Sequence, residues 1–303
     1  MCDASPVDHQ PLTVLSYGIG QDSWTILVKL ALDPAFRKQY APGRLLVISA
    51  DTGNEHPDTY EHQRYTEQFC ARHGIEYVHL DADKGYHSGP WQTLQFYFSS
   101  KGNIASKAYN KTCTDNLKIK PIYRFLEDYV EKHYGFAAAR KKGLKELAAQ
   151  VGKIRVLLGI ARGEERRVGG EDPQVWQRLA LVKEYPLIDI GFNRGDCQDY
   201  LRAIGEPVPP PSNCIFCPFK SQIEILWTHH AYPAQYAEWE QHEQNKIETW
   251  RAKGTPDESN FGVNGKKLLA QVLAEAKEKY GHMTMAELEE YRMSHGHLCA
   301  NKF

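Results

Sequence analysis

Between Leu12 and Leu30 the chain reads Leu-Thr-Val-Leu-Ser-Tyr-Gly-Ile-Gly-Gln-Asp-Ser-Trp-Thr-Ile-Leu-Val-Lys-Leu. Gly18 and Gly20 let the backbone approach a ligand with no Cβ in the way, and Ser16 and Ser23 supply hydroxyls. An apolar run enters this turn and an amphipathic pattern leaves it through Ile26, Leu27 and Leu30, so a strand, a phosphate-sized loop and a helix are expected in succession. The first N–H groups of such a helix point at the same place as the hydroxyls, and the set is suited to an anion. An ordinary strand-to-helix turn has a similar composition, so the loop alone does not decide the chemistry.

Cysteines form the second set. Cys214-Ile-Phe-Cys217 has the spacing at which two thiolates face one metal across a turn, and Pro218 restricts that turn. Cys70 and Cys197 fall on helical patterns, where a small core residue is the plainer expectation. His295 and His297 flank Cys299 and can ligate metal instead of, or beside, its thiolate. Seven cysteines at scattered positions are an odd number, better read as thiols, metal ligands or core fillers than as a disulfide framework.

With 303 residues, 42% hydrophobic and 25% charged, the chain can bury one large core, or one core plus an extension. A net charge of -1 provides no global field toward nucleic acid, so such binding needs a local patch. No apolar run approaches 18 residues and no charged-then-apolar leader opens the chain, so no membrane association and a cytoplasmic location are expected.

Apolar runs at 44–50, 75–80 and 156–160 read as further strands, with a helix after Asp51-Thr-Gly-Asn-Glu-His-Pro57. Strands alternating with helices imply an α/β fold, a mostly parallel sheet with helices on both faces, whose ligands bind at the carboxyl ends of the strands. Tyr185–Asp189 reads as a short edge segment, with Asn193 or Asp196 capping the next helix. Pro207–Pro211 reads as a stiff linker. Helices are expected from about 221 and near 232–252, 264–280 and 284–292. The boundaries are thus 1–206 for a nucleotide-binding α/β domain and 207–303 for a cysteine-containing helical section. From Glu131 to Arg155 seven Lys/Arg stand against two Glu, which suits a solvated helix face or a nucleic-acid surface.

Taken in order, Ser16-Tyr-Gly-Ile-Gly-Gln-Asp-Ser23, Asp51-Thr-Gly-Asn-Glu55, Cys113-Thr-Asp-Asn-Leu-Lys118, Gly159-Ile-Ala-Arg162 and Cys214-Ile-Phe-Cys-Pro218 resemble the adenine nucleotide alpha hydrolase superfamily, nearest its phosphoadenosine phosphosulfate (PAPS) reductase-like branch. The resemblance implies that the loop is a PP-loop holding the phosphates of ATP or of a sulfonucleotide. Many members cleave ATP between the α and β phosphates, adenylating an oxygen that sulfur then displaces. By that resemblance Ser16, Gly18, Gly20, Gln21, Thr52, Glu55, Lys118 and Arg162 bind nucleotide, and Asp22, Ser23 and Asp51 carry the chemistry. Asp22 orients Mg2+ or water, or else caps its own helix. Ser23 turns its hydroxyl toward a phosphate.

Two positions depart from the family pattern. Ile19 stands where a third glycine is common, and a β-branched residue makes φ > 0 unexpected there. Gln21 replaces a common Lys, so Arg162, Lys118 or Mg2+ must neutralise the phosphate. Cys113 lies in the motif that resembles the cluster-ligand region of the reductase-like branch, with Thr112 where iron-sulfur members carry a second cysteine. With the Cys214–Cys217 pair, and with Cys299 as a fourth thiolate if the tail folds back, it is expected to hold a [4Fe-4S] cluster, the alternatives being Zn2+ and unmetallated buried thiols.

The first functional expectation is therefore an ATP pyrophosphatase that adenylates a substrate for sulfur transfer, with tRNA or DNA as acceptor and a cysteine desulfurase as possible sulfur donor. A sulfonucleotide reductase is the second, although the His-Leu-Cys-Ala-Asn context of Cys299 differs from the Glu-Cys-Gly-x-His tail of those enzymes. A nucleotide- or metal-binding partner protein without turnover is the third.

Overall fold

A computed structural model describes residues 9–170 and 172–295. In chain order its elements begin with β1 (Leu12–Ser16), α1 (Gln21–Leu32), α2 (Pro34–Tyr40), β2 (Arg44–Ala50), α3 (Pro57–Arg72) and β3 (Glu76–Leu80). Then come α4 (Leu94–Lys101), α5 (Lys120–Tyr134), α6 (Lys142–Gln150), β4 (Ile154–Leu158), α7 (Val175–Ala180) and β5 (Leu181–Glu184). The chain continues through α8 (Pro186–Asp189), α9 (Arg194–Ala203), α10 (Gln222–Ala231), α11 (Pro233–Ala252), α12 (Leu269–Tyr280) and α13 (Met285–His295).

The strands form one sheet in the order β3-β2-β1-β4-β5, with every neighbouring pair parallel. All five residues of β1 are buried, as a central strand covered on both faces requires. Alternation along the strands then separates two cores. Val14, Ile48 and Val156 pack on one face against Ile122, Leu126 and Val130 of α5. Leu15, Val47 and Leu157 pack on the other against Ile26, Leu27 and Leu30 of α1 and Phe69 of α3. The expected α/β class with a helical C-terminal part is the one the chain adopts. A third core joins Leu94, Phe98, Ile104 and Leu117 to Phe216, Trp239, Leu273 and Leu288, so the C-terminal helices are built around side chains from 94–117.

One local expectation is corrected. Residues 186–189 form a helical turn rather than an edge strand, because Pro186 lies in its first turn and has no N–H for a ladder; β5 precedes it. Pro207–Pro211 runs without helix or strand between α9 and α10, packed against the domain. Pro209 and Pro211 are buried, and the Trp24 indole donates to the Pro207 carbonyl at 3.0 Å. Both expected caps of α9 are used, Asn193 and Asp196 forming a reciprocal capping box. Within the basic stretch, Lys141 pairs with Glu127, Lys142 with Glu146 and Arg155 with Glu184. Among the described residues no helix is long and apolar enough to cross a membrane.

Candidate functional site

From β1 the chain steps outward to β2 and β3, then returns to β4 on the other side of β1. At such a reversal the connections leave opposite faces, and a crevice opens between the carboxyl ends of the two strands. Here it is a cleft with about 530 Å³ of open space between Ser16–Ser23 and Leu158–Ile160, completed by Lys118, Arg167 and Ser212.

The loop that forms its floor is held by its own groups. Ser23 Oγ accepts from the Gly18 N–H (3.3 Å) and donates to the Gly20 carbonyl (3.1 Å), so the hydroxyl fixes the loop's curvature. Ile19 has φ = 60°, against the expectation for a β-branched residue. Its side chain is buried in the core that also holds Trp24, and this burial offsets the left-handed strain, which is about 1–2 kcal/mol. Gly159, just beyond β4, lies so close that a Cβ there would stand 2.7 Å from Ser23 N. Gly20 makes a similar approach to Ser212, at 3.3 Å from a Cβ to Ser212 Cβ. Glycine at 159 thus lets the β4 end close against the start of α1.

Asp22 does not cap α1; the cap is Gly20, with no side-chain bond. Its carboxylate is 5% exposed, and Oδ1 has no hydrogen-bond partner. Burial is the main cause that raises its pKa to about 6, with Arg194 and Arg167 opposing and Glu164 reinforcing. A buried carboxylate oxygen without a partner, on the wall of a cleft built for phosphate, fits a hard divalent cation such as Mg2+. Gln21 also lines the cleft, but its amide is engaged: Gln198 donates to Oε1 (2.9 Å), and Nε2 donates to the Met293 carbonyl of α13 (3.4 Å).

Positive charge enters from two sides. Lys118, on a π-helical turn Asp115–Ile119 ahead of α5, is buried and meets Glu55 at 2.9 Å. Arg167 reaches the cleft from the segment after β4, paired with Glu164, which also holds Arg194 at 2.9 Å. Of the two side chains expected to neutralise phosphate, Lys118 lines the cleft, whereas Arg162 lines a neighbouring cleft with Arg166, Lys107 and Lys220. Asp51 and Thr52 stand one strand away at the end of β2. Asp51 accepts from the Tyr60 hydroxyl (3.0 Å), and Thr52 donates to Glu55 (3.0 Å), so this set reaches the cleft through Glu55 and Lys118. Sequence reasoning missed Arg167 and Ser212. The run Arg-Gly-Glu-Glu-Arg-Arg marked several cations without saying which one turns inward.

The Cys214–Cys217 turn packs against the same flank. Glu55 and Cys214 form an isolated antiparallel bridge, and the Cys214 thiol donates to Thr52 Oγ1 at 3.3 Å. Lys220, which follows, is buried with Nζ 2.9 Å from both His56 Nε2 and Thr228 Oγ1, and burial pulls its pKa down to about 8. Cys113 packs at the edge of the same core. Among the described residues, however, no three His, Cys, Asp or Glu side chains gather where they could hold a metal. The described cysteines therefore do not by themselves fit a cluster or zinc; Cys299 and His297 lie outside the described residues. Cys70 and Cys197 are buried core thiols whose pKa burial pushes up to about 12.

No protein-family model and no curated protein matches the chain. Among solved structures it is similar to the U34-tRNA thiolase NcsA from Methanococcus maripaludis with its [4Fe-4S] cluster. That similarity has 13% identity and a TM-score of 0.38, covering 98% of this chain and 82% of the other. A likeness of that degree carries no inference about activity.

Proposed function

We propose that the protein is an ATP pyrophosphatase-type enzyme that adenylates an acceptor for sulfur transfer, with a nucleic acid, tRNA or DNA, as acceptor. The observation that carries this reading is the unpartnered Asp22 oxygen in a cleft that also holds a glycine-rich loop, a helix N-terminus, Lys118 and Arg167. Carboxylate, cations and N–H donors in one crevice match the triphosphate of a nucleotide with its metal. The resemblance of the five motifs to PP-loop enzymes supports the same reading.

In this reading the N–H groups opening α1 receive the pyrophosphate portion, and Lys118 and Arg167 neutralise charge that grows on it as the bond to the α phosphate breaks. Asp22, ionised, would hold Mg2+, which would supply Lewis-acid polarisation of the phosphates. Ser23 keeps the loop in shape rather than attacking, since both its hydrogen-bonding roles are used within the loop. The acceptor oxygen attacks the α phosphorus, pyrophosphate leaves, and sulfur later displaces AMP. No step is assigned to an iron–sulfur cluster. The Cys214 thiol lies beside Thr52 and Glu55, on the flank that reaches the cleft through Lys118.

The test is to purify the protein anaerobically and measure pyrophosphate release from ATP alongside sulfite release from PAPS. Pyrophosphate without sulfite is expected. Sulfite without pyrophosphate would make the protein a sulfonucleotide reductase, and silence on both, with acceptor RNA and DNA present, would leave a binding protein.

A further inference from the structure

Across the π-helical turn Asp115–Ile119 from the nucleotide cleft lies a second cleft, larger, with about 1200 Å³ of open space. Lys118 of that turn faces the first cleft, whereas Asp115 and Ile119 face the second. The proposed reaction uses nothing in this second cleft. Its wall nevertheless includes a residue with a buried polar atom that the fold leaves unpartnered.

Gln177, at 6% exposure, donates from Nε2 to the Tyr123 hydroxyl (3.1 Å), and its Oε1 has no partner. Buried amide oxygens are almost always satisfied, so an unmet one on a residue that lines the cleft points to a donor that a ligand supplies once the side chain turns toward it. If the amide is turned over, the orphan becomes a donor and the same inference holds. Beside it stands Trp176, half-buried, its ring edge-to-face with Tyr123 (centroids 4.8 Å) and with Lys141 Nζ 5.5 Å from its centroid. Arg124 lies at the exposed rim. Its Nη1 donates to the Tyr86 carbonyl (2.7 Å), while its other guanidinium N–H groups have no acceptor among the described residues. An indole, an open amide and an arginine together suit a planar heterocycle with a polar edge, joined to an anion.

We propose that this second cleft binds a nucleobase carrying a phosphate, either a free nucleotide or one unstacked base of a nucleic-acid strand. The strand form rests on the reading of the protein as a nucleic-acid sulfur-modifying enzyme; the free-nucleotide form does not. In the strand form the base sits across the turn Asp115–Ile119 from the adenylating cleft, which that turn lines with Lys118.

The experiment titrates the full-length protein with UMP, CMP, AMP and GMP by calorimetry, and with short labelled single-stranded RNA and DNA by anisotropy. Wild type is compared with Trp176→Ala, Gln177→Leu and the exposed Arg124→Ala, and ATP affinity and melting temperature are measured on each. Loss of the base–aromatic contact in Trp176→Ala is expected to weaken binding roughly 5- to 150-fold, with Gln177→Leu and Arg124→Ala also weakened and ATP affinity unchanged. Weakening for mononucleotides identifies a free nucleotide as the source, and weakening for strands alone identifies a strand. Wild-type binding in all three folded variants, or no binding of either ligand by the wild type, overturns the proposal. Absence of pyrophosphate release with variant-sensitive binding intact would sink the adenylation reading and leave this site standing.

Discussion

Asp22→Asn should separate stability from activity. In the folded chain the Asp22 carboxyl titrates at about 6 instead of 3.8, chiefly because it is buried. That rise corresponds to about 3 kcal/mol, an upper figure for the penalty of holding the ionised group in the fold. Below the unfolded pKa both states are protonated and the penalty is absent. Between the two pKa values the unfolded chain ionises first, so stability falls as pH rises; above about 6 the penalty is constant. About 1.4 kcal/mol of it should develop between pH 5 and 7.5. Urea unfolding at those two pH values, without Mg2+, should show Asp22→Asn gaining that much on the wild type as pH rises, while pyrophosphate release disappears. A pH-independent difference between the two proteins would show that Asp22 is solvated or already paired, and the proposed Mg2+ ligand would lose its physical basis.

Four other outcomes follow from the geometry. Gly159→Ala puts a Cβ 2.7 Å from Ser23 N, so ATP affinity should fall at least tenfold in a protein that still unfolds cooperatively; wild-type affinity would mean that β4 can retreat from the loop. At position 19, with φ = 60°, Gly should be more stable than Ala by about 1 kcal/mol, and thermal unfolding of the two variants in parallel would expose an Ala that equals Gly. Lys220 loses its proton at about 8 in the fold and near 10.5 in the unfolded chain, so stability rises with pH between those values, and Lys220→Met should lack that rise in urea titrations at pH 7.5 and 9.5. If Cys113, Cys214, Cys217 and Cys299 hold a cluster, anaerobic protein contains iron and sulfide and Cys214→Ser loses both; stoichiometric zinc, or no metal, rejects the cluster.

The loop and its strand were legible because both faces of β1 are buried and the amphipathic period begins immediately after Gly20. β2 and β4 were legible for the same reason, from short apolar runs, whereas β5, Leu-Val-Lys-Glu at the sheet edge, carries no such run. Ile19 was not, because local sterics disfavour its conformation and only the tertiary burial of its side chain makes it tolerable. Arg162 and Arg167 carry the same charge five residues apart, and the turn after β4 alone decides which one faces the cleft. The proline run read as a stiff linker because proline stiffens a chain in any setting; the Trp24 indole ties it to α1, and Ser212, which follows it, is the residue that reaches the cleft beside Gly20. Lys118 was legible by motif, but its bond to Glu55, which ties the β2 end to the nucleotide cleft, comes from a π-helical turn that no periodicity announces.

The most direct measurement is pyrophosphate release from ATP by anaerobically purified wild type and Asp22→Asn, with Mg2+ and with RNA or DNA as acceptor. Release by the wild type that falls to background in the variant is the expected result. Release that survives in Asp22→Asn, or a wild type that releases only sulfite from PAPS, would contradict the assignment of this cleft to ATP adenylation.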